Sequence, residues 1–158
     1  MGLQDKTKTA LASLGRFSSG PITLSVDDAN QRLTSDLAAL DTLAVAFESF
    51  AVATDALAGA TVDQLKKISE DLSRRLSYLL EPISPVEVDA QECIVQMRSN
   101  PPAQGDDGTS YYELLVRRGG ELRLSRYAKT PGDPRRVVPA QVTREVFLRL
   151  VGDFSAAV

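Results

Sequence analysis

Apolar residues recur at helical intervals through the first third of the chain. One stripe has intervals of three and four residues and comprises Leu33, Leu37, Leu40, Ala44, Phe47 and Ala51. Alternating intervals of this kind place side chains on one face of an α-helix. Ser25 suits a helix start, because its hydroxyl can accept hydrogen bonds from the amides of the first turn. The pattern predicts a helix that begins at Ser25, with Leu43 and Phe50 at the margins of its apolar stripe.

A second helical stripe follows the turn expected at residues 55–60 and comprises Leu65, Ile68, Leu72, Leu76 and Leu79. Thr61 and Gln64 have the spacing of a capping box, in which each side chain accepts a hydrogen bond from the other residue's backbone amide. Pro82 ends the helix, because proline disfavours the helical conformation of the preceding residue. A short connection makes the two helices antiparallel neighbours. The sequence therefore predicts a long helical hairpin over residues 25–81.

The apolar period changes to two after Pro85, which is typical of β-strands. The alternation shifts by one position near Gln91–Glu92, so we expect a β-bulge or a break there. Gly119-Gly120 predicts a two-residue hairpin turn, since both positions of such a turn need positive φ. This turn sets the register of the predicted hairpin. The expected cross-strand pairs are Arg118 with Glu121, Leu115 with Leu124, Glu113 with Arg126, and Tyr112 with Tyr127.

Together these patterns predict an α+β fold in a single domain that spans residues 1–158. A short helix and a linker occupy residues 1–24, with the helix at residues 3–14. The N-terminal long antiparallel helical hairpin follows at 25–81, and an antiparallel three-stranded β-meander covers 86–129. A C-terminal helix over 139–154 completes the chain, with Pro139 at its start.

The content of histidine and cysteine excludes several classes of chemistry. The chain has no histidine and a single cysteine, Cys93. An internal disulfide, a Cys/His zinc site, a Ser-His-Asp triad and a Cys-His dyad are therefore ruled out. Cys93 lies among apolar residues, so we expect a buried thiol that reacts slowly. We expect no cofactor and no metal, and we favour binding over catalysis. An enzyme that uses neither His nor Cys is the remaining catalytic alternative.

Positive charge is concentrated in the second half of a chain that is acidic overall. The full sequence has 18 basic and 21 acidic residues and a net charge of −3. The candidate residues for an anion or an acidic partner are Arg117, Arg123, Arg126, Lys129, Arg135, Arg136, Tyr112 and Tyr127. Arginines interleaved with tyrosines can bind phosphates or stack on bases. Solvated or internally paired arginines are the alternative, and the net acidic charge argues against nucleic acid.

These observations favour a protein-interaction or structural module that acts through its helices. The alternative function is phosphate, nucleotide or nucleic-acid binding through the Arg-rich β-hairpin. No apolar run approaches the roughly 18 residues of a membrane span, and the first residues lack a signal peptide, so we expect a cytoplasmic protein without membrane contact. A protein partner or a homodimer is expected, with Leu43 and Phe50 at the dimer contact because one partner helix cannot cover them.

Overall fold

Antiparallel strand pairing dominates the structure, a computed structural model that describes residues 2–106 and 108–158. Three helices are α1 (Leu3–Leu14), α2 (Val62–Arg75) and α3 (Arg144–Ala157), and short 3₁₀ turns cover Asp55–Leu57 and Leu76–Leu79. The strands in the described residues are β1 (Ile22–Asp28), β2 (Gln31–Leu40), β3 (Ala44–Thr54), β4 (Ile83–Asp89), β5 (Ile94–Ser99), β6 (Ala103–Gly105), β7 (Gly108–Arg117), β8 (Glu121–Lys129), β9 (Arg136–Val138) and β10 (Ala140–Thr143). None of the described helices has the length and apolar character needed to span a membrane.

All the strands belong to one sheet, whose main order is β1-β2-β3-β8-β7-β5-β4. β3 and β8 pair directly only over Phe50–Ala53 and Glu121–Leu124. Beyond that stretch, β10 pairs with β3 and β9 pairs with β8. The β9–β10 segment therefore fills the gap where β3 and β8 separate, and Ala140 at its bend is fully buried.

The three helices cover one face of the sheet and form the core with it. α1 packs on β1 and on α3, α2 packs on β4, β5 and β7, and α3 packs on β3. Aromatic rings join α3 to the sheet: the ring centroid of Phe50 lies 5.4 Å from that of Phe147 and 5.0 Å from that of Phe154, both edge-on. Aromatic pairs of this geometry contribute roughly 0.5–1.5 kcal/mol beyond the area they bury.

The predicted helical hairpin is wrong in its first arm, because residues 25–54 lie in strands β1 to β3. Leu33 and Leu37 are four residues apart, an interval that shares one face in a strand as well as in a helix. Both are fully buried and alternate with half-exposed neighbours, which is the period of a strand. The only helix before residue 55 in the described part of the chain is α1, with 12 residues.

Irregular pairing produced the odd intervals that resembled a helix. The β2–β3 register shifts on both sides of Leu37. Leu37 pairs with Phe47 and Asp36 pairs with Ser49, which leaves Glu48 as an extra residue between them. Such a bulge lets residues an odd number apart reach the same face. Phe47 and Phe50 therefore both enter the core although they are three residues apart.

Other helix predictions agree with the structure more closely. α1 covers the predicted residues 3–14. α2 begins with the predicted capping box: Gln64 N donates to Thr61 Oγ1 at 3.2 Å, and Thr61 N donates to Gln64 Oε1 at 2.8 Å. α3 begins five residues later than predicted for 139–154, since Ala140–Thr143 first pairs with β3. Thr143 caps this helix by accepting a hydrogen bond from Val146 N.

The three-stranded meander becomes four main strands, because residues 86–98 contain a hairpin. The phase shift near Gln91–Glu92 is a reverse turn between β4 and β5. The predicted register of the β7–β8 hairpin is wrong by one residue, since Arg117 rather than Arg118 pairs with Glu121. The loop has three residues instead of two, and Tyr127 consequently pairs with Tyr111. A register shift of one residue changes which faces of the two strands coincide. Each side chain therefore has different cross-strand neighbours.

Candidate functional site

The sheet face opposite the helices, here called the open face, carries a cleft where β4, β5, β7 and β8 lie side by side. Its lining residues are Ser84, Val86, Arg98, Ser99, Asn100, Pro102, Thr109, Tyr111, Lys129 and Arg135. The cleft has a volume of about 610 Å³. Small-molecule sites typically occupy roughly 300–1,000 Å³. The cleft is therefore large enough for a small organic ligand.

A buried carboxylate beneath the cleft organises its charged groups. Glu113 on β7 has a side chain that is only 4% exposed. Its Oε1 atom accepts hydrogen bonds from Gln96 Nε2 at 2.5 Å and from Arg135 Nη1 at 3.0 Å. Arg98 Nη2 lies 3.9 Å from the same oxygen. The β5–β7 register places Arg98 directly opposite Glu113, and the loop after β8 carries Arg135 across the open face.

Two tyrosines fix the planes of the two guanidinium groups. Arg98 Cζ lies 4.7 Å from the ring centroid of Tyr111, and Arg135 Cζ lies 3.9 Å from that of Tyr127. Arg135 Nη1 also donates to Tyr111 Oη at 3.4 Å. Cation–π contacts of this kind contribute roughly 0.5–2 kcal/mol each. The hydrogen bonds to Glu113 and Tyr111 raise the pKa of Arg135 above its already high ordinary value.

The charges around the cleft do not balance. Arg98, Lys129 and Arg135 line it, and no carboxylate is among its described lining residues. Glu113 below them is shared by the two guanidiniums. Lys129 Nζ donates to the carbonyl oxygens of Thr130 and Asp133, and in the described part of the chain it joins no ion pair. Among the described residues around the cleft, one negative charge therefore faces three positive charges.

Two of the sequence-predicted candidates lie on the other side of the sheet. Arg126 faces the helices, where its Nη1 atom lies 3.0 Å from Glu81 Oε2. Its guanidinium stacks on Tyr112, with Cζ 4.6 Å from the ring centroid. Burial raises the pKa of Tyr112. This pair belongs to the packed interior and does not contact the cleft.

The remaining candidates have separate places. Arg123 lies on the open face and pairs with Glu121 at 3.1 Å, outside the cleft. Arg117 is half-buried at the end of β7. Arg136 on β9 donates to Thr130 Oγ1 at 3.3 Å. Of the predicted anion-binding set, the cleft brings together Lys129 and Arg135, with Tyr127 directly under Arg135.

Sequence reasoning missed Arg98, Tyr111 and Glu113 as members of the site. Arg98 and Glu113 are far apart in sequence, and the β6 hairpin lies between their strands. The signal available in the sequence was the opposite charges of Arg98 and Glu113, each in a segment where apolar and polar residues alternate as in a strand. The correct pairing of β5 with β7 would have placed them side by side.

The self-association candidates are not neighbours on a helix. Phe50 is completely buried in the aromatic cluster with α3, so it offers no contact to a second copy of the chain. Leu43 lies in the β2–β3 turn and is 77% exposed. The helical hairpin that motivated both the dimer contact and a partner surface on the helices is absent.

Cys93 lies at the end of the β4–β5 turn and is 6% exposed. Its thiol donates to the carbonyl oxygen of Ala90 at 3.4 Å. Within the described residues, no group of three or more His, Cys, Asp or Glu side chains is placed to hold a metal ion. No protein-family model matches the chain, and neither do any of the curated proteins or solved structures compared with it. The chemistry of the cleft is therefore the basis for assigning a function.

Proposed function

We propose that this protein is a binding module that takes a small anionic ligand in the cleft on its open face. The observation that carries the proposal is the charge imbalance, in the described part of the chain, between Arg98, Lys129 and Arg135 above and the carboxylate of Glu113 below. An anion that carries two negative charges would restore electrical neutrality. Charge attraction is stronger in a cleft with low-dielectric walls than on a flat, fully solvated surface.

The donors of the cleft suit an oxyanion. The Arg98 side chain is 41% exposed, and its Nη2 atom is 3.9 Å from Glu113, beyond hydrogen-bonding distance. Its guanidinium can therefore donate to a ligand, and guanidinium groups bind carboxylates and phosphates through two parallel hydrogen bonds. Ser84, Asn100 and Thr109 add neutral donors around the rim. The cleft combines charge with several hydrogen-bond donors.

Binding is favoured over catalysis by the residues the cleft contains. Without histidine in the chain, the usual general base near neutral pH is missing. The thiol of Cys93 is buried and is not among the lining residues. Glu113, the carboxylate beneath the cleft, is engaged by Gln96 and Arg135.

Thermal unfolding with inorganic phosphate, sulfate, nucleotides and small carboxylates tests the proposal. We expect at least one class of anion to raise Tm, because a ligand at 100 times its Kd stabilises the folded state by about 2.7 kcal/mol. The effect should be lost in Arg98→Ala. Arg123→Ala is the matched control, since this arginine also lies on the open face but pairs with Glu121 outside the cleft. An equal rise of Tm in Arg98→Ala and the unmodified protein would contradict the proposal.

A further inference from the structure

The cleft has a basic end and an apolar end, and their order across the sheet constrains the ligand. Lys129 on β8 and Arg135 in the loop after it mark one end. Val86, which is 53% exposed, marks the other end on the edge strand β4. Three strand-to-strand steps of about 4.8 Å each separate β8 from β4, so the two strands that carry these ends are about 14 Å apart across the sheet. A bare inorganic anion is much shorter than this span.

The middle of the cleft offers a planar surface. One face of the Arg98 guanidinium stacks on Tyr111, and the side chain keeps 41% of its surface exposed. A guanidinium held flat against a tyrosine can receive a second planar group on its outer face. Pro102 also lines the cleft and contributes an apolar surface.

From this arrangement we infer that the ligand is a phosphomonoester of a planar group, such as a nucleoside monophosphate. The inference rests on the proposed function and names the ligand class for the same cleft. A phosphomonoester carries about −1.5 to −2 charges on one group at pH 7, which matches the surplus that Arg98, Lys129 and Arg135 have over Glu113. Its planar group then lies on Arg98, and its far side points toward Val86. A dicarboxylate of equal charge distributes that charge along its length and leaves the apolar end of the cleft unfilled.

Isothermal titration calorimetry with four probes tests the ligand class. The probes are inorganic phosphate, butyl phosphate, phenyl phosphate and adenosine 5′-monophosphate. We expect the two planar esters to bind at least about tenfold more tightly than inorganic phosphate. A difference of this size is expected when one base or ring stacks on a protein side chain. Butyl phosphate should be intermediate, because it fills apolar space without stacking.

The variants Arg98→Lys and Lys129→Ala separate stacking from charge. Arg98→Lys keeps the positive charge and removes the planar group, so it should weaken the planar esters by about tenfold more than it weakens inorganic phosphate. Lys129→Ala should weaken all four probes by a similar factor. Both side chains are at the surface, and a thermal melt without ligand checks that each variant is folded.

Two outcomes overturn the inference and leave the proposed function intact. The first is equal affinity for inorganic phosphate and for the planar esters. The second is an Arg98→Lys variant that loses inorganic phosphate as strongly as the planar esters, which would show that the Arg98 guanidinium acts by donating hydrogen bonds to the phosphate and not by stacking on the planar group. Failure of every anion to bind would instead remove the proposed function itself.

Discussion

The hairpin loop between β7 and β8 allows a sharp test of the fold, because its two glycines share a positive φ and differ in their contacts with the end of β3. Gly119 has φ of 107° and Gly120 has φ of 101°, so both adopt a backbone conformation that side-chain-bearing residues avoid. A Cβ atom added at Gly119 would meet no atom within 4 Å. A Cβ atom added at Gly120 would lie 2.5 Å from the carbonyl oxygen of Thr54. Gly119→Ala is therefore a matched control for Gly120→Ala.

The expected magnitudes follow from these contacts. Positive φ alone should cost about 1–2 kcal/mol in each variant. Gly120→Ala adds an overpacking cost of about 1–3 kcal/mol, because the obstacle is backbone that cannot rotate away. It also displaces the hydrogen bond from Thr54 N to the Gly120 carbonyl oxygen, which is 2.7 Å long and contributes about 1 kcal/mol. Gly120→Ala should thus be less stable than Gly119→Ala by about 2–4 kcal/mol.

Urea unfolding followed by far-UV circular dichroism measures both variants against the unmodified protein. For 158 residues, each 1 kcal/mol corresponds to about 2–4 °C in Tm, so thermal melts give a second reading. If the two variants agreed within about 0.5 kcal/mol, the loop would not lie against the end of β3 and the described β3–β8 contact would be wrong. A helical hairpin at residues 25–81 would give no reason for the variants to differ.

Three further predictions concern stability. Thr61→Ala removes half of the capping box of α2 and should lower the free energy of unfolding by about 0.5–2 kcal/mol in urea unfolding, whereas no loss would show that the cap does not form. A double-mutant cycle with Phe50→Leu and Phe154→Leu should give a coupling of about 0.5–1.5 kcal/mol, and additive effects would contradict the edge-on contact. Hydrogen bonds, chiefly the one from Arg75, lower the pKa of Asp71 below 3.8. The contribution of Asp71 to stability is therefore complete above pH 3.8 and is lost as the pH falls below that value. Urea unfolding of Asp71→Asn from pH 6 to pH 2 should therefore converge on the unmodified protein at the acid end, and a constant difference would refute this.

Helices with strong local signals could be predicted from the sequence, and irregular strands could not. Thr61 and Gln64 lie three residues apart and report a helix start directly, which the structure confirms. In β2 and β3, the bulge at Glu48 and the register shifts around Leu37 depend on strand partners. Their effect is to give a strand the intervals of a helix. Single-sequence periodicity cannot separate the two cases, because tertiary pairing decides which one forms.

The candidate site was only partly predictable for a related reason. Lys129 and Arg135 lie in the basic segment that composition picks out. Arg98 and Glu113 enter the cleft through the pairing of β5 with β7, which local pattern does not report. The register of the β7–β8 hairpin also decides the outcome, because a shift by one residue places Arg126 on the face that the helices cover. Long-range pairing thus selects which arginines meet.

The gap between β3 and β8 also has a consequence for the order of folding. Strands β1 to β3 and strands β4 to β8 are each joined by short connections, so either group can pair early. Their direct junction consists of four residue pairs, and the rest depends on the β9–β10 segment. Closure that requires distant residues is entropically slow. We expect two partly formed sheets to persist during synthesis until residues 136–143 emerge from the ribosome. During that interval, the unpaired edges of β3 and β8 are exposed to chaperones.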